Sequence, residues 1–360
     1  MTAEKTFFAP GRTELAGNHT DHQKGRVLAS SVDMGMTARV TPNGEGLIRV
    51  TSDGCAPFAI DIFDLEPKAG ERGSSAALCR GMCCALDEIG AELGGFDAAV
   101  TSDLRPGGGL SSSAAFVVLM GRILNGLYNG GTLSAVEIAK AGQEAENCHF
   151  GKPSGLLDEL ACSVGEAVYV DFLTGEITPM QCDFSGMGLT LCLLDTGGSH
   201  KDLTPDYARI PADMAWVAHR LGCEYLAEVD EAEFRALRCP EGRQREWDRA
   251  AHFFEENRRV PLMRDALLHR DGEAYLRLMN QSGRSSEELL GNIRSAAGDD
   301  ALERGLALAA SLLAGRGAWR VHGGGFAGCV QALMPNGLYG EFKRAVEAVF
   351  GEHACFEIRA

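Results

Sequence analysis

The amino-acid sequence predicts an α+β fold in two domains, on the basis of three observations. At 360 residues the chain is long for a single hydrophobic core, and each of two domains would be large enough to bury an interior. Strand-like and helical segments are mixed in the first half of the chain. After a buried-strand pattern at residues 189–195, helices dominate until two strand-like segments around residues 320–334. We therefore expect a domain boundary near residue 188, between domains of residues 1–188 and 189–360.

The first half contains four strand-like segments and three segments with helical periodicity. The strands are expected at residues 25–40, 46–51, 96–102 and 168–172, and the helices at residues 76–89, 111–128 and 134–148. In the last helix Ser134 is followed three residues later by Glu137, which predicts a capping box. The same helix carries Glu144 and Glu146 near its C-terminal end, where the helix dipole disfavours carboxylates. A carboxylate kept there is a candidate functional group.

The composition restricts the partners and the compartment that we expect. With 34 Lys and Arg against 50 Asp and Glu, the formal net charge of −16 repels nucleic-acid phosphates and anionic lipid head groups. None of the 12 cysteines forms a CxxC pair, which favours free thiols in a reducing compartment over disulfides or zinc. The N-terminal segment has no apolar signal-peptide core, and no stretch reaches the length of a membrane span. We therefore expect a cytoplasmic protein that binds neither nucleic acid nor membranes.

A glycine-rich segment at residues 104–115, LRPGGGLSSSAA, leads into an apolar segment of helical length. Glycines allow the backbone to approach a ligand closely, and the first N–H groups of the following helix can receive phosphate oxygens. The predicted phosphate-binding residues are Gly107, Gly108, Gly109, Leu110, Ser111, Ser112, Ser113 and Ala114. The alternative is a glycine turn with a serine N-cap. The segment is not a Walker A motif, which needs GKS or GKT.

Residues 9–22, APGRTELAGNHTDH, place Arg12, His19 and Asp21 in a short, turn-prone stretch. Mixed donors and acceptors concentrated in this way suit a ligand with several hydroxyl groups, such as a sugar. The alternative is an exposed polar loop in which Asn18 and His19 cap turns.

Two further segments carry candidate residues. Asp158 lies in GKPSGLLDELA among leucines, which predicts a partly buried carboxylate that needs a partner such as Arg12. The alternative for Asp158 is a solvated helix position. Residues 321–330, VHGGGFAGCV, place a second glycine loop between strand-like segments, and alone they predict only a hairpin.

These four segments occur together, and in the same order along the chain, in the galactokinase branch of the GHMP small-molecule kinases. The sequence resembles this branch over nearly its whole length. PGRTELAGNHTDH resembles the galactokinase signature, and PGGGLSSSA resembles the phosphate loop of the family. GQEAEN with GKPSGLLDEL is similar to the catalytic segment, and VHGGGFAGC to the third motif. The resemblance implies a two-domain α+β fold in which ATP and a sugar meet in a cleft. It also implies a monomeric enzyme that converts galactose to galactose 1-phosphate with Mg²⁺ and ATP.

The resemblance further implies roles for individual residues. Asp158 corresponds to the catalytic carboxylate beside the sugar hydroxyl, and Arg12 to its electrostatic partner. The residues implied for Mg²⁺ are Ser112, Ser113 and Glu146. Those implied for the sugar are Asn18, His19, Asp21, Gly155 and Tyr207.

The sequence departs from the family pattern at Asn18, where a glutamate is usual, and at His22, where a tyrosine is usual. These changes leave two alternatives to galactose phosphorylation. One is the same chemistry on a related sugar such as galacturonate. The other is a non-catalytic sugar sensor, but such proteins damage the Ser-Ser-Ala part of the phosphate loop, which is intact here at residues 112–114.

Overall fold

The computed structural model describes residues 4–105, 108–152, 154–198, 203–295 and 298–360. The chain divides into two units, each assembled from several segments of the sequence. The first unit consists of residues 1–12, 31–106 and 110–165, and the second of residues 13–30, 107–109 and 166–360. The long strands β1 (Lys5–Ala16) and β2 (Arg26–Pro42) contain points at which the chain passes from one unit to the other. The boundary near residue 188 stays a prediction.

The first unit combines a sheet with four helices. Its strands are residues 5–12 of β1, the later part of β2, β3 (Leu47–Ser52), β4 (Phe58–Asp61) and β5 (Phe96–Ser102). Strand β3 pairs with β4 in antiparallel and with β5 in parallel orientation, and β5 pairs antiparallel with residues 36–42 of β2. The helices are α1 (Ser75–Glu88), α2 (Ser112–Tyr128), α3 (Ala135–Glu144) and α4 (Leu157–Val164).

Helix α2 lies at the centre of the helical layer of the first unit. Nearly every side chain from Ala114 to Leu124 is buried, because α2 is hydrophobic almost all round and packs against the other three helices. This burial fixes the position of the helix N-terminus, where the predicted phosphate loop ends.

The predicted strands and helices of this half of the chain are confirmed to within a few residues. The capping box is also confirmed, since the Glu137 N–H donates to Ser134 Oγ at 3.2 Å and the Ser134 N–H donates to Glu137 Oε2 at 2.7 Å. The third helix differs at its end. The α-helix stops at Glu144 and continues as a π-helical turn, Ala145–Phe150, which closes at Gly151 in the left-handed conformation (φ +86°).

The second unit contains two groups of strands and six helices among its described residues. Strands β6 (Ala167–Asp171) and β7 (Glu176–Met180) extend the first residues of β2 in antiparallel pairs. A separate antiparallel sheet has the order β11 (Cys355–Glu357), β8 (Leu189–Asp195), β10 (Cys329–Pro335) and β9 (Ala318–Val321). The helices are α5 (Thr204–Arg220), α6 (Glu231–Ala236), α7 (Gln244–Leu268), α8 (Gly272–Ser285), α9 (Ala301–Leu313) and α10 (Tyr339–Phe350). The buried strand predicted at residues 189–195 is therefore confirmed as β8.

Two hydrophobic cores support the second unit. In one, the separate sheet packs against α9 and α10. In the other, α5 and α7 pack together through Ile210, Met214 and Phe253, which are fully buried. Among the described residues, no helix has the length and hydrophobicity needed to cross a membrane.

Candidate active site

In the first unit, Asp158 lies in the first turn of α4 and is held by Arg12. The Arg12 Nε is 2.6 Å from Asp158 Oδ1, and Arg12 Nη2 is 2.9 Å from Oδ2. This is a bidentate arrangement, the strongest geometry for a guanidinium and a carboxylate. The predicted pairing is thus present, and the solvated position considered for Asp158 is excluded because only 23% of its side chain is exposed.

The backbone around Arg12 explains how the pair is positioned. The Arg12 N–H donates to the Leu110 carbonyl oxygen at 3.1 Å, so β1 lies directly against the end of the glycine-rich segment. A Cβ on Gly11 would come within 2.7 Å of that same oxygen. Only glycine permits this approach of the two backbones.

Ser111 joins the phosphate-loop segment to the carboxylate. Its hydroxyl donates to Asp158 Oδ2 at 2.6 Å. Ser111 occupies the N-cap position of α2 in the left-handed conformation (φ +54°), but its side chain does not cap the helix. A serine thus stands at the N-cap, as the alternative to phosphate binding predicts, but it makes no capping hydrogen bond through its side chain.

The other predicted phosphate-binding residues do not all lie in the same unit. Ser112, Ser113 and Ala114 begin α2, and the Ser112 side chain is exposed. Gly107 lies outside the described residues, and Gly108 and Gly109 belong to the second unit. A Cβ on Gly109 would lie 2.7 Å from His322 Nδ1, so this position also requires glycine.

The electrostatics of the first unit keep Asp158 ionised. Burial alone would raise the pKa of Asp158, but the Arg12 guanidinium, helped by Lys152 and the Ser111 hydroxyl, holds this pKa well below its usual value. At neutral pH the group is a carboxylate with little tendency to take up a proton.

Glu146 and Glu144 lie two residues apart but differ in burial and in hydrogen bonding. Glu144 is exposed and accepts from the Cys148 thiol, whereas Glu146 is fully buried in the π-helical turn. Glu146 Oε2 accepts from Lys152 Nζ at 3.1 Å, and Oε1 has no hydrogen-bond partner in the part of the chain that the structure describes. A buried, unsatisfied carboxylate oxygen is suited to a hard divalent cation. Across the described residues, no group of three or more His, Cys, Asp or Glu could enclose a metal on its own.

Gly155 lies in the exposed loop before α4. The Ser154 N–H donates to Asn147 Oδ1 at 2.8 Å, which ties this loop to the π-helical turn. The loop is therefore held at its centre by a side chain from the GQEAEN segment.

In the second unit, three predicted sugar-binding side chains converge on the third glycine segment. Asn18 Nδ2 donates to the Gly323 carbonyl at 2.7 Å, His19 Nε2 lies 3.0 Å from the Gly324 carbonyl, and Tyr207 Oη donates to the Gly325 carbonyl at 2.8 Å. These are three consecutive carbonyl groups. The VHGGGFAGC segment is therefore more than the hairpin that it alone predicts, because it links residues distant in sequence.

Asn18 is enclosed by the second unit, with 1% of its surface exposed. Its Oδ1 accepts from Asn292 Nδ2 at 3.0 Å and from Ser286 Oγ at 3.3 Å, and its Nδ2 lies 3.3 Å from Glu14 Oε1. The Asn18 carbonyl also accepts from His252 Nε2 at 2.9 Å. Through these hydrogen bonds Asn18 links the signature, residues 9–22, to the helical part of the second unit.

The rest of the signature contains two histidines with different surroundings. His19 adopts the left-handed conformation (φ +57°), and its ring centre lies 5.6 Å from that of His22. Both ring nitrogens of His22 are buried without a hydrogen-bond partner among the described residues, and burial, with the neighbouring His19, lowers its pKa well below the usual value. Asp21 begins the short 3-10 turn Asp21–Gln23 and is half-buried.

Comparisons with known proteins identify the family. Residues 77–166 match the GHMP kinases N terminal domain, and residues 2–42 match the galactokinase galactose-binding signature. Galactokinase from Mycobacterium bovis (strain BCG / Pasteur 1173P2) is 33% identical over 341 residues, covering 92% of this chain and 89% of the relative. Galactokinase from Actinobacillus pleuropneumoniae serotype 3 (strain JL03) is 30% identical over 357 residues, covering 96% and 89%. The chain belongs to the galactokinase family.

Solved structures support the fold of this galactokinase-family protein. The crystal structure of Lactococcus lactis galactokinase complexed with galactose matches with a TM-score of 0.87 at 24% identity, covering 99% of this chain and 93% of that chain. Methanococcus jannaschii mevalonate kinase matches with a TM-score of 0.69 at 16% identity, covering 100% and 98%. The predicted α+β GHMP kinase fold is confirmed. Membership of a kinase family also confirms ATP as the co-substrate.

Two charged residues within the GKPSGLLDEL segment of this kinase were missed in the sequence analysis. Glu159 is fully buried in α4, and both of its carboxylate oxygens lack a hydrogen-bond partner within the described parts of the chain. Burial, together with the nearby Glu146 and Asp158, raises its pKa well above the usual value. Lys152 contacts Glu146. The sequence did contain an indication of both residues. Glu159 is a second carboxylate in an apolar helical segment, and Lys152 lies in the glycine-containing turn before it.

Proposed function

We propose that this galactokinase-family protein transfers the terminal phosphoryl group of ATP to the anomeric hydroxyl of galactose, forming galactose 1-phosphate. One observation carries the proposal. The ionised carboxylate of Asp158 is held by Arg12 and also accepts from Ser111, which immediately precedes α2. The group that would orient the acceptor hydroxyl therefore lies one hydrogen bond from the segment that would bind the phosphates.

Phosphoryl transfer depends mainly on positioning and on stabilising charge, and the proposed roles follow from that. Asp158 accepts a hydrogen bond from the attacking hydroxyl and orients it. Because Arg12 depresses the pKa of Asp158, this carboxylate is a weak base, and its negative charge favours alkoxide character late in the transfer. Gly107 to Ala114 would cradle the phosphates through backbone N–H groups and hydroxyls.

The residues proposed for Mg²⁺ fit such an ion. Glu146 Oε1 is a buried oxygen without a partner among the described residues, and Ser112 and Ser113 supply hydroxyls at the start of α2. One carboxylate with hydroxyl and phosphate oxygens is a usual environment for Mg²⁺. When bound, the ion would neutralise phosphate charge. The protein's strongly negative net charge makes such local neutralisation necessary.

Recognition of the sugar is proposed for His19, Asp21, Gly155 and Tyr207, and for Asn18 through the hydrogen bonds that hold the signature in place. The match of residues 2–42 to the galactose-binding signature, and the similarity to galactokinases, support galactose as the substrate. The galacturonate alternative required the Asn18 amide to donate to the extra carboxylate of that sugar. The amide instead donates to the Gly323 carbonyl and lies close to Glu14, so this alternative is not favoured.

ADP release measured with galactose, galacturonate and N-acetylgalactosamine tests the proposed function. We expect kcat/KM for galactose to exceed that for the other two by roughly a hundredfold or more, because a site built to pair sugar hydroxyls rejects altered sugars strongly. Preference for galacturonate would refute the proposed substrate. Galactose binding without ADP release would instead identify a sensor.

A further inference from the structure

Lys152 is placed over Glu146 by the geometry of the π-helical turn. The N–H groups of Gly151 and Lys152 both donate to the Glu146 carbonyl, at 2.9 and 3.0 Å. Because Gly151 adopts the left-handed conformation, the chain reverses there and brings the lysine side chain back toward the turn. The Lys152 Nζ consequently lies 3.1 Å from Glu146 Oε2.

The Lys152 ammonium lies among three carboxylates of the first unit. It contacts Glu146 and interacts electrostatically with Asp158 and Glu159. Glu146 and Glu159 are fully buried, but 48% of the Lys152 side chain is exposed. The lysine therefore compensates buried negative charge while keeping access to a ligand.

Two of these carboxylates, Glu146 and Asp158, lie at opposite ends of the proposed phosphoryl transfer. Glu146 lies on the side proposed for the metal and the ATP phosphates, and Asp158 lies on the side of the acceptor hydroxyl. In the proposed transfer the γ-phosphoryl group leaves the ADP part of ATP on the Glu146 side and bonds to the acceptor hydroxyl oxygen on the Asp158 side. Arg12 is already engaged with both oxygens of Asp158, whereas Lys152 contacts Glu146 through a single oxygen and is a cation available on this side of the first unit.

We propose that Lys152 contacts the γ-phosphoryl group of ATP and is a catalytic residue of the transfer, an inference that rests on the proposed function. On ATP binding, the ammonium shares its hydrogen bonds between Glu146 and a γ-phosphate oxygen. A flexible ammonium with three donors is suited to follow a phosphoryl group as it moves.

Calorimetric binding of two nucleotides to the full-length protein tests this contact. In the presence of Mg²⁺, Lys152→Met should weaken binding of the β,γ-imido analogue of ATP by about tenfold or more, the size of a charge-assisted hydrogen bond. Binding of ADP, which lacks the γ-phosphate, should change by less than about threefold. Lys152→Arg should retain most of the preference for the analogue. Lys140→Met, which removes an exposed lysine on α3, should leave both affinities unchanged.

The comparison of the two nucleotides separates a phosphate contact from simple charge compensation. If Lys152 only balances the charge of Glu146, Lys152→Met would weaken binding of ADP and of the analogue equally, and the proposal would be wrong. A loss confined to the analogue supports the contact. No loss for either nucleotide would also overturn it. The wild type is assayed for phosphorylation of galactose in parallel, and its failure there would refute the proposed function while the nucleotide comparison still tests Lys152.

Discussion

The Ser111 hydroxyl lies 2.6 Å from Oδ2 of Asp158, the same oxygen that Arg12 Nη2 contacts at 2.9 Å. With Arg12 Nε on Oδ1, both carboxylate oxygens are held, and the orientation of the group is fixed from β1 and from the start of α2. Ser111 therefore positions Asp158 and is also a member of the proposed phosphate loop.

Replacing Ser111 with Ala should lower kcat because one of the bonds that orient Asp158 is lost. A hydrogen bond to a charged group contributes about 1.5 to 3 kcal/mol, so kcat should fall by roughly tenfold or more. The KM for galactose should change little. Steady-state kinetics with varied galactose measures both quantities, and an unchanged kcat would mean that Arg12 alone positions the carboxylate.

Replacing Arg12 with Gln should move the acid limb of the pH profile to higher pH. Burial raises the pKa of Asp158 and Arg12 lowers it, so removal of the guanidinium raises the pKa. The low pKa of Asp158 places the acid limb of kcat/KM below about pH 4 in the wild type. In the variant this limb should move upward by about one pH unit or more, the usual effect of one close opposite charge, and enter a profile measured from about pH 4 to 9. An unshifted limb would assign it to another group.

The same pair should contribute to stability in a defined pH range. Because the pKa of Asp158 is lower in the folded than in the unfolded protein, the pair stabilises the fold above the unfolded-state pKa. That stabilisation is lost as the pH falls through the folded-state pKa. The difference in unfolding free energy between wild type and Arg12→Gln, followed by urea denaturation, should therefore shrink as the pH is lowered. A difference independent of pH would show that Arg12 stabilises the fold through packing alone.

Glu146 and Glu144 form a matched pair for testing the metal assignment. Glu146→Gln should raise the Mg²⁺ concentration needed for turnover or abolish turnover, because it removes the buried carboxylate proposed for the ion. Glu144→Gln should behave as wild type, since Glu144 is exposed. Titration of activity with Mg²⁺ compares the two. Equal effects would place the metal elsewhere.

Asn18→Glu should destabilise the protein, although glutamate is usual in the family at this position. The new carboxylate would be buried close to Glu14 and to the Gly323 carbonyl, and among the described residues no Lys or Arg hydrogen-bonds to Asn18. An uncompensated buried charge costs about 3 to 5 kcal/mol, and urea unfolding would detect a loss of that size. If the variant is as stable as wild type and binds galactose more tightly, Asn18 contacts the sugar directly instead of holding the signature in place.

The sequence was sufficient for features that depend on short-range patterns. Hydrophobic periodicity located the strands and helices predicted in the first half of the chain, although it did not predict β1, β4, β7 or α4. The spacing of Ser134 and Glu137 predicted the capping box. The requirement that a buried carboxylate has a partner predicted the pairing of Arg12 with Asp158.

Other features depend on contacts that no local pattern encodes. The π-helical turn shifts the register after Glu144, so the contact of Lys152 with Glu146 does not follow from α-helical spacing. The convergence of Asn18, His19 and Tyr207 on residues 323–325 joins segments separated by more than a hundred residues. Such contacts are set by tertiary packing, which the sequence of each segment leaves undetermined.

The most direct test of the central claim is formation of galactose 1-phosphate by Asp158→Asn, measured together with galactose affinity. The substitution keeps the shape of the side chain and removes the charge that orients the attacking hydroxyl. Turnover should fall by about two orders of magnitude or more, the scale of one general-base or electrostatic contribution. Galactose affinity should stay within about tenfold of wild type, since one neutral replacement leaves the remaining sugar contacts in place. Turnover close to that of wild type would contradict the role assigned to Asp158.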